Sequence, residues 1–347
     1  MKSISIIIPR LDNNAPVQVA MALAKELASN HQVFVYTIKG TLASYAGDIP
    51  VKKITVNNII KILSSDIIHT HCFLPDVIGM IFKFLSFSKA VLFVTTVHCD
   101  PLEEFKNRKL RQFLIRLWIY ALRKFDKTIV LNSHVARTLT SRGVKSNVIY
   151  NGKDVFFNDY PGIKSKILKF SGGRKIIGAY SVFKRVKGIE QLIEYAINMD
   201  SSRCIVIAGD GELMPEFKLA LHSNALEHKV LILGHVNNAH NLLQYFDVYV
   251  ITSRSEGFPI ALIEALASGI PICHSNIPQF IEFKNNLGFI SEVYELDNIV
   301  SLSNSLDACL DSDLLVNHSE HNKMVYLYGL TERSMCNSYL KYCYEIN

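Results

Sequence analysis

At 347 residues, 49% hydrophobic and 20% charged, the chain is long enough for two domains with separate cores and has the composition of a globular protein. No apolar run approaches a membrane span, and seven cysteines, odd in number and without a C-x-x-C pair, argue against a disulfide framework and for reduced thiols in a cytoplasmic setting. The formal charge of +6 is divided unevenly: residues 1–160 carry 21 Lys/Arg against 11 Asp/Glu, the remainder 16 against 20, so an anionic partner is expected on the first half. In chain order, apolar runs that read as buried strands alternate with stretches of helical period, the pattern of a parallel α/β fold. The run 4–8, followed by Pro9, Arg10 and Asp12, reads as a first strand rather than a signal peptide. A helix over 16–27 turns Val19, Leu23 and Leu27 inward, and strands follow over 33–38, 67–69, 91–98 and 128–131. Between the last two lies KNRKLRQFLIRLWIYALRKFDK (106–127), where Leu110, Phe113, Leu114, Leu117, Trp118, Ala121 and Phe125 form one stripe expected to face the core. Eight Lys/Arg against one Asp decorate the rest, a face suited to an anionic membrane surface or a lipid diphosphate. Residues 161–173 read as a linker. Strands over 175–180, 204–208, 230–233, 248–251 and 271–274 form a second set, and a last helix is expected over 332–344.

The most informative stretch is SRSEGFPIALIEALASGIP, residues 253–271. Pro259 suits the first position of a helix, where a missing N–H costs nothing, and Gly269 before Ile270 and Pro271 suits a left-handed cap. The amides of Gly257, Phe258 and Ile260, at the positive end of the helix dipole, suit a diphosphate. Glu256 and Glu264 flank that end; carboxylates do not bind a diphosphate, so they are read as holding hydroxyls. Amides for phosphate and acids for hydroxyls describe a nucleotide-sugar site.

The frame S-x-x-E-G-F-P-x-x-x-x-E-A-x-A-x-G-x-P resembles the signature of the retaining glycosyltransferases of family 4 (glycosyl transferases group 1). DIIHTH (66–71), TTVHCDP (95–101), VIYNGKDVFF (148–157), VKGIEQLIEYA (186–196), IVIAGDGEL (205–213) and LGHV (233–236) stand in that family's order, so the resemblance covers nearly the whole chain. It implies an α/β GT-B fold: two Rossmann-like parallel domains, 1–160 on the acceptor side and 174–330 on the donor side, facing a central cleft, with 331–347 a helix crossing back to the first domain. Ligands of such sheets bind at the carboxyl ends of the strands. The implied reaction is transfer of a hexose-type sugar, with retention, from a nucleotide-diphosphate donor, UDP by family frequency, to a glycan or lipid-linked acceptor in surface polysaccharide assembly. A GT-B sugar-nucleotide epimerase or a degenerate scaffold subunit remains the alternative.

By the resemblance, Glu256, His98 and Lys187 are the catalytic set. Lys187, Arg185, Gly209, Gly211, His235, Val236, Glu256, Gly257, Phe258, Pro259, Ile260 and Glu264 bind the donor, and Asn13, Asn14 and His71 lie on the acceptor side. The chain departs from the family in two places. Ser181-Val182 stands where Gly-Arg is usual, leaving Lys184 or Arg185 to replace the guanidinium, and the first loop, RLDNNAP (10–16), lacks glycine. No metal or other cofactor is expected. His69 and His71 are assigned to opposite faces of a strand end, and Asp311-Ser-Asp313 lies in a polar stretch away from any strand end. No nucleic-acid partner is implied, and the expected location is the cytoplasm, peripheral on the inner face of the membrane.

Overall fold

A computed structural model describes residues 1–12, 14–39, 49–86, 90–105, 109–311 and 315–344. The chain forms two compact units, one of residues 1–154 with 329–347 and one of residues 155–328.

The first unit holds a parallel sheet of β1 (Ser3–Arg10), β2 (Gln32–Lys39), β3 (Val51–Lys53), β4 (Ile67–His71), β5 (Leu92–Val97), β6 (Lys127–Val130) and β7 (Asn147–Val148), in the order β3-β2-β1-β4-β5-β6-β7. Ile4, Ile6, Ile7 and Ile8 in the central strand are wholly buried, as a strand covered on both faces requires. Because sequence order reverses between β1 and β4, the loops leaving those strands diverge and open a crevice.

The helix expected over 106–127 runs only from Arg111 to Leu122. Asp126 donates its N–H to the Phe93 carbonyl and accepts from the Phe93 N–H on its carboxylate to start β6, which ends the helix a turn earlier. Its apolar stripe is split as well. Trp118 and Ala121 are buried, whereas Leu110 and Phe113 are 65% and 61% exposed.

The C-terminal segment joins this unit. Thr331 caps the helix Glu332–Tyr339 by accepting from the Ser334 N–H, and Leu340–Tyr344 adds one π-helical turn. Gly152 admits it: a Cβ there would stand 2.1 Å from the Thr331 carbonyl oxygen.

The second unit has β8 (Lys175–Tyr180), β9 (Arg203–Ala208), β10 (Val230–Gly234), β11 (Val248–Ile251), β12 (Ile272–Ser275) and β13 (Glu292–Tyr294), all parallel, in the order β10-β9-β8-β11-β12-β13. This is the order of a dinucleotide-binding Rossmann sheet, with its switch point between β8 and β11. The stretch 161–173, expected as a linker, is instead the helix Pro161–Ser171 of this unit, started by Pro161 and stopped by Gly172 in the left-handed conformation. Among the described residues no helix is long and apolar enough to cross a membrane.

Candidate functional site

The loops that leave β8 and β11 bound the switch point of the second sheet and are tied together. Thr252 Oγ1 donates to the Lys187 carbonyl at 2.7 Å, and the Arg254 N–H donates to the Val186 carbonyl at 2.8 Å. Gly188 makes the approach possible, since its φ of +61° is left-handed and a Cβ would lie 2.2 Å from the Thr252 carbonyl oxygen. Lys187 is thereby brought to Glu256, Nζ to Oε1 at 2.6 Å, and the Ser253 hydroxyl donates to the same oxygen. The Lys187 and Glu256 side chains are 28% and 10% exposed, so this cation and carboxylate lie in a half-desolvated crevice where each is worth more than on open surface.

The helix Ile260–Ser268 begins one residue later than its sequence indicates. Pro259 is the N-cap, in extended conformation, rather than the first helical residue, and Gly269 closes the helix at φ +72°. Phe258 is buried against the Phe283 ring, centroids 4.6 Å apart, which pins the entry to the helix. One turn in, Glu264 is 6% exposed, accepts from the Tyr180 hydroxyl at 2.6 Å, and faces His240 Nδ1 at 3.5 Å. Burial, and then the Glu264 charge, push the Tyr180 phenol well up, so it stays an O–H donor. Tyr180 and His240 were not visible as site residues in the sequence. Tyr180 at least carried a signal, since it ends an apolar strand at the carboxyl edge.

Other expected donor-side residues are placed differently. Arg185 pairs with Glu216 at 3.1 Å on the open surface, and both partners are well exposed. Gly209 and Gly211 pack on the β8 loop: a Cβ on Gly209 would fall 1.8 Å from the Ser181 carbonyl oxygen and one on Gly211 2.6 Å from that of Phe183. Their smallness is thus demanded by loop-on-loop packing. His235, exposed just after β10, bonds Asn237 at 3.1 Å, and Val236 beside it is half-buried.

In the first unit the carboxyl ends of β4 and β5 gather three histidines. His69 and His71 share a face, rings 4.4 Å apart, which corrects the assignment to opposite faces: residues two apart on a strand point the same way. His69 bonds Tyr344 Oη at 2.6 Å and Thr96 Oγ1 at 2.8 Å, and Thr96 Oγ1 also bonds Tyr339 Oη. His71 Nδ1 meets His98 Nε2 at 2.9 Å, the two rings stacked. Desolvation holds His69 and His98 down to about 3 and His71 well below its ordinary value. His71, expected on the acceptor side, is wholly buried behind His98. Asn14 is spent on capping the helix Ala15–Ala28, its Oδ1 accepting from the Val17 N–H, and Asn13 lies outside the described residues.

On the opposite face of the sheet, reached by the alternate residues Thr70 and Thr95, lies Asp76, which nothing in the sequence singled out. It is wholly buried and accepts from Thr70, Thr95 and the Trp118 indole at 2.6–2.7 Å, and burial raises its carboxyl to about 7. Among the described residues no group of three or more His, Cys, Asp or Glu is arranged to hold a metal ion. Asp313 lies outside the described residues.

Comparison with known proteins places this geometry. The sequence model of Glycosyltransferase Family 4 matches residues 17–155, and that of Glycosyl transferases group 1 matches residues 163–321. An Escherichia coli protein named UDP-Gal:alpha-D-GlcNAc-diphosphoundecaprenol alpha-1,3-galactosyltransferase is 29% identical over 299 residues, covering 81% of this chain and 76% of its own. The O-antigen biosynthesis glycosyltransferase WclY of Escherichia coli is 24% identical over 281 residues, 77% of this chain and 78% of its own. Among solved structures, Anabaena Alr3699/HepE in complex with UDP superposes with a TM-score of 0.84 at 17% identity, all of both chains covered. The two sheets, their switch points and these matches together give the chain the GT-B fold and make it like the glycosyltransferases of family 4 and group 1, each model matching one half of it.

Proposed function

We propose that the protein transfers a hexose-type sugar from a UDP-sugar to a glycan or lipid-linked acceptor, with retention of configuration, in surface polysaccharide assembly. The observation that carries this reading is Lys187 against Glu256 at the switch point of the second sheet, beside the N-terminus of the Ile260–Ser268 helix. Lys187 and the backbone around Gly257–Ile260 stabilise the leaving diphosphate, the preorganised electrostatic contribution that dominates such transfers. Arg185 is turned to Glu216, so Lys187 is the cation that serves the phosphates. Glu256 holds sugar hydroxyls and is released by Lys187 when the diphosphate takes over the ammonium. Glu264, held in place by the Tyr180 and His240 contacts, holds the ribose. His98, at the end of β5, contacts the transferred sugar, while His235 and Val236 flank the base.

The donor class is supported by the galactosyltransferase relative, named for UDP-Gal, and by complexes of the Anabaena protein with UDP and UDP-glucose. The acceptor class is supported by the diphosphoundecaprenol and O-antigen named for the two relatives, and by the positive charge of the first half of the chain. The exposed Leu110 and Phe113 beside Lys109 and Arg111 offer that acceptor's membrane a basic, apolar contact.

The test is thermal unfolding with UDP, GDP, ADP or CMP, with and without divalent metal, followed by turnover of the stabilising UDP-sugars. A ligand at a hundred times its Kd stabilises by about 2.7 kcal/mol, which is readily seen. A shift with UDP alone, unchanged by metal, supports the reading. No shift with any nucleotide, together with no turnover, refutes it in favour of a scaffold. Release of an epimerised sugar without acceptor refutes it in favour of an epimerase.

A further inference from the structure

We propose that His71 is a positioning residue that fixes the tautomer of His98, so that His98 presents an Nδ1–H donor, and no base, to an oxygen of the bound sugar. The inference rests on the placement of His98 at the sugar argued above; the state of the ring rests on geometry alone. His71 Nδ1 and His98 Nε2 are 2.9 Å apart, a hydrogen bond between two nitrogens of which one must carry the proton. If His98 Nε2 were the donor, His71 would be protonated at Nε2. That nitrogen is buried and has no partner among the described residues. A buried N–H left without an acceptor is the rarer and costlier defect; a buried lone pair left without a donor is better tolerated. The proton therefore sits on His71 Nδ1 and is donated to His98 Nε2.

The consequence for His98 follows from its valence. A neutral imidazole that accepts at Nε2 carries its hydrogen on Nδ1, the nitrogen that bonds no described residue. His98 can therefore donate to a lone pair on a sugar oxygen but cannot abstract a proton through that nitrogen. Burial keeps both rings neutral near pH 7, which maintains the arrangement. His69, anchored on both nitrogens by Tyr344 and Thr96, packs its tilted ring against His71, centroids 4.4 Å apart, and holds it in place. The C-terminal turn that supplies Tyr344 thus supports a ring two residues removed from the one it bonds.

The experiment is long-range proton–nitrogen correlation on the full chain labelled with 15N-histidine, with His71→Asp and His71→Asn for assignment and test. In the unaltered chain His71 and His98 should both show protonated Nδ1 and bare Nε2. In His71→Asp a carboxylate, which only accepts, replaces the donor, so the His98 proton should move to Nε2. In His71→Asn the amide N–H takes the donor's place, and His98 should remain protonated at Nδ1. Turnover of His71→Asp should fall about 100-fold, as when an aimed donor is withdrawn, and that of His71→Asn should lie above it. His98 protonated at Nε2 in the unaltered chain overturns the proposal whatever the turnover. His98→Ala with undiminished turnover overturns instead the placement of this histidine at the sugar.

Discussion

Acid should destabilise the first unit with a slope set by its buried titratable groups. His69 and His71 are wholly buried and held below their ordinary value, so the stability they contribute is present above about pH 6.5 and is lost as pH falls toward their folded values. Asp76 works oppositely: its carboxyl, raised to about 7, contributes stability that is present below its unfolded value near 4 and lost as pH rises through 7. Between pH 6 and 5 the unfolded chain thus binds two protons that the folded unit refuses, and the folded unit binds one that the unfolded chain lacks. The net difference of one proton costs about 1.4 kcal/mol per pH unit, rising toward about 2.7 if the less deeply covered His98 is counted in full. Trp118, the only tryptophan, is buried in this unit on Asp76, so its fluorescence reports this unit rather than the other. Urea midpoints followed at Trp118 should drop by roughly 0.5–1.4 molar from pH 6 to pH 5, given slopes of about 1–3 kcal/mol per molar. Asp76→Asn removes the opposing proton and should steepen the dependence by about 1.4 kcal/mol per pH unit. A midpoint that holds or rises between pH 6 and 5 would refute the reasoning, because the histidines would then accept protons in the folded state.

Three further outcomes are expected. Lys187→Ala should weaken UDP binding by about tenfold or more, the loss of a charge-assisted contact, read by calorimetry; unchanged affinity would remove Lys187 from the phosphates. Tyr180→Phe leaves Glu264 short of its hydroxyl donor and should lower the melting temperature of the second unit by an amount equivalent to about 1–3 kcal/mol, with weaker UDP binding alongside. Gly209→Ala places a Cβ 1.8 Å from the Ser181 carbonyl oxygen at a φ of +143°, and should destabilise by about 2–4 kcal/mol in thermal unfolding; a neutral result would mean that the loop after β8 yields freely.

The long buried strands were legible because they are continuous apolar runs, and 175–180 and 248–251 coincide with β8 and β11. The short edge strands β3, β7 and β13 escaped notice: two or three residues carry no period, and pairing with a neighbour alone makes them strands. Pro259 and Gly269 marked the helix Ile260–Ser268 to within a residue, since their backbone preferences are local. Its partners were another matter. Nothing in the spacing of Lys187 and Glu256 foretold a 2.6 Å contact, because they meet only where two strands distant in sequence lie side by side.

The sequence by itself therefore determined the α/β alternation, the motif at 253–271 and the family likeness, all of which rest on local periodicity and on residues within a few turns of one another. Tertiary structure alone decided that Glu264 is held by Tyr180, that Arg185 turns to Glu216, and that three histidines cluster on one face of the first sheet while Asp76 is buried on the other. The physical reason is that desolvation and hydrogen-bond partnership belong to the packed site and not to the residue. A histidine's charge and its tautomer are fixed by what surrounds each ring nitrogen, and that is known only once the strands are in place.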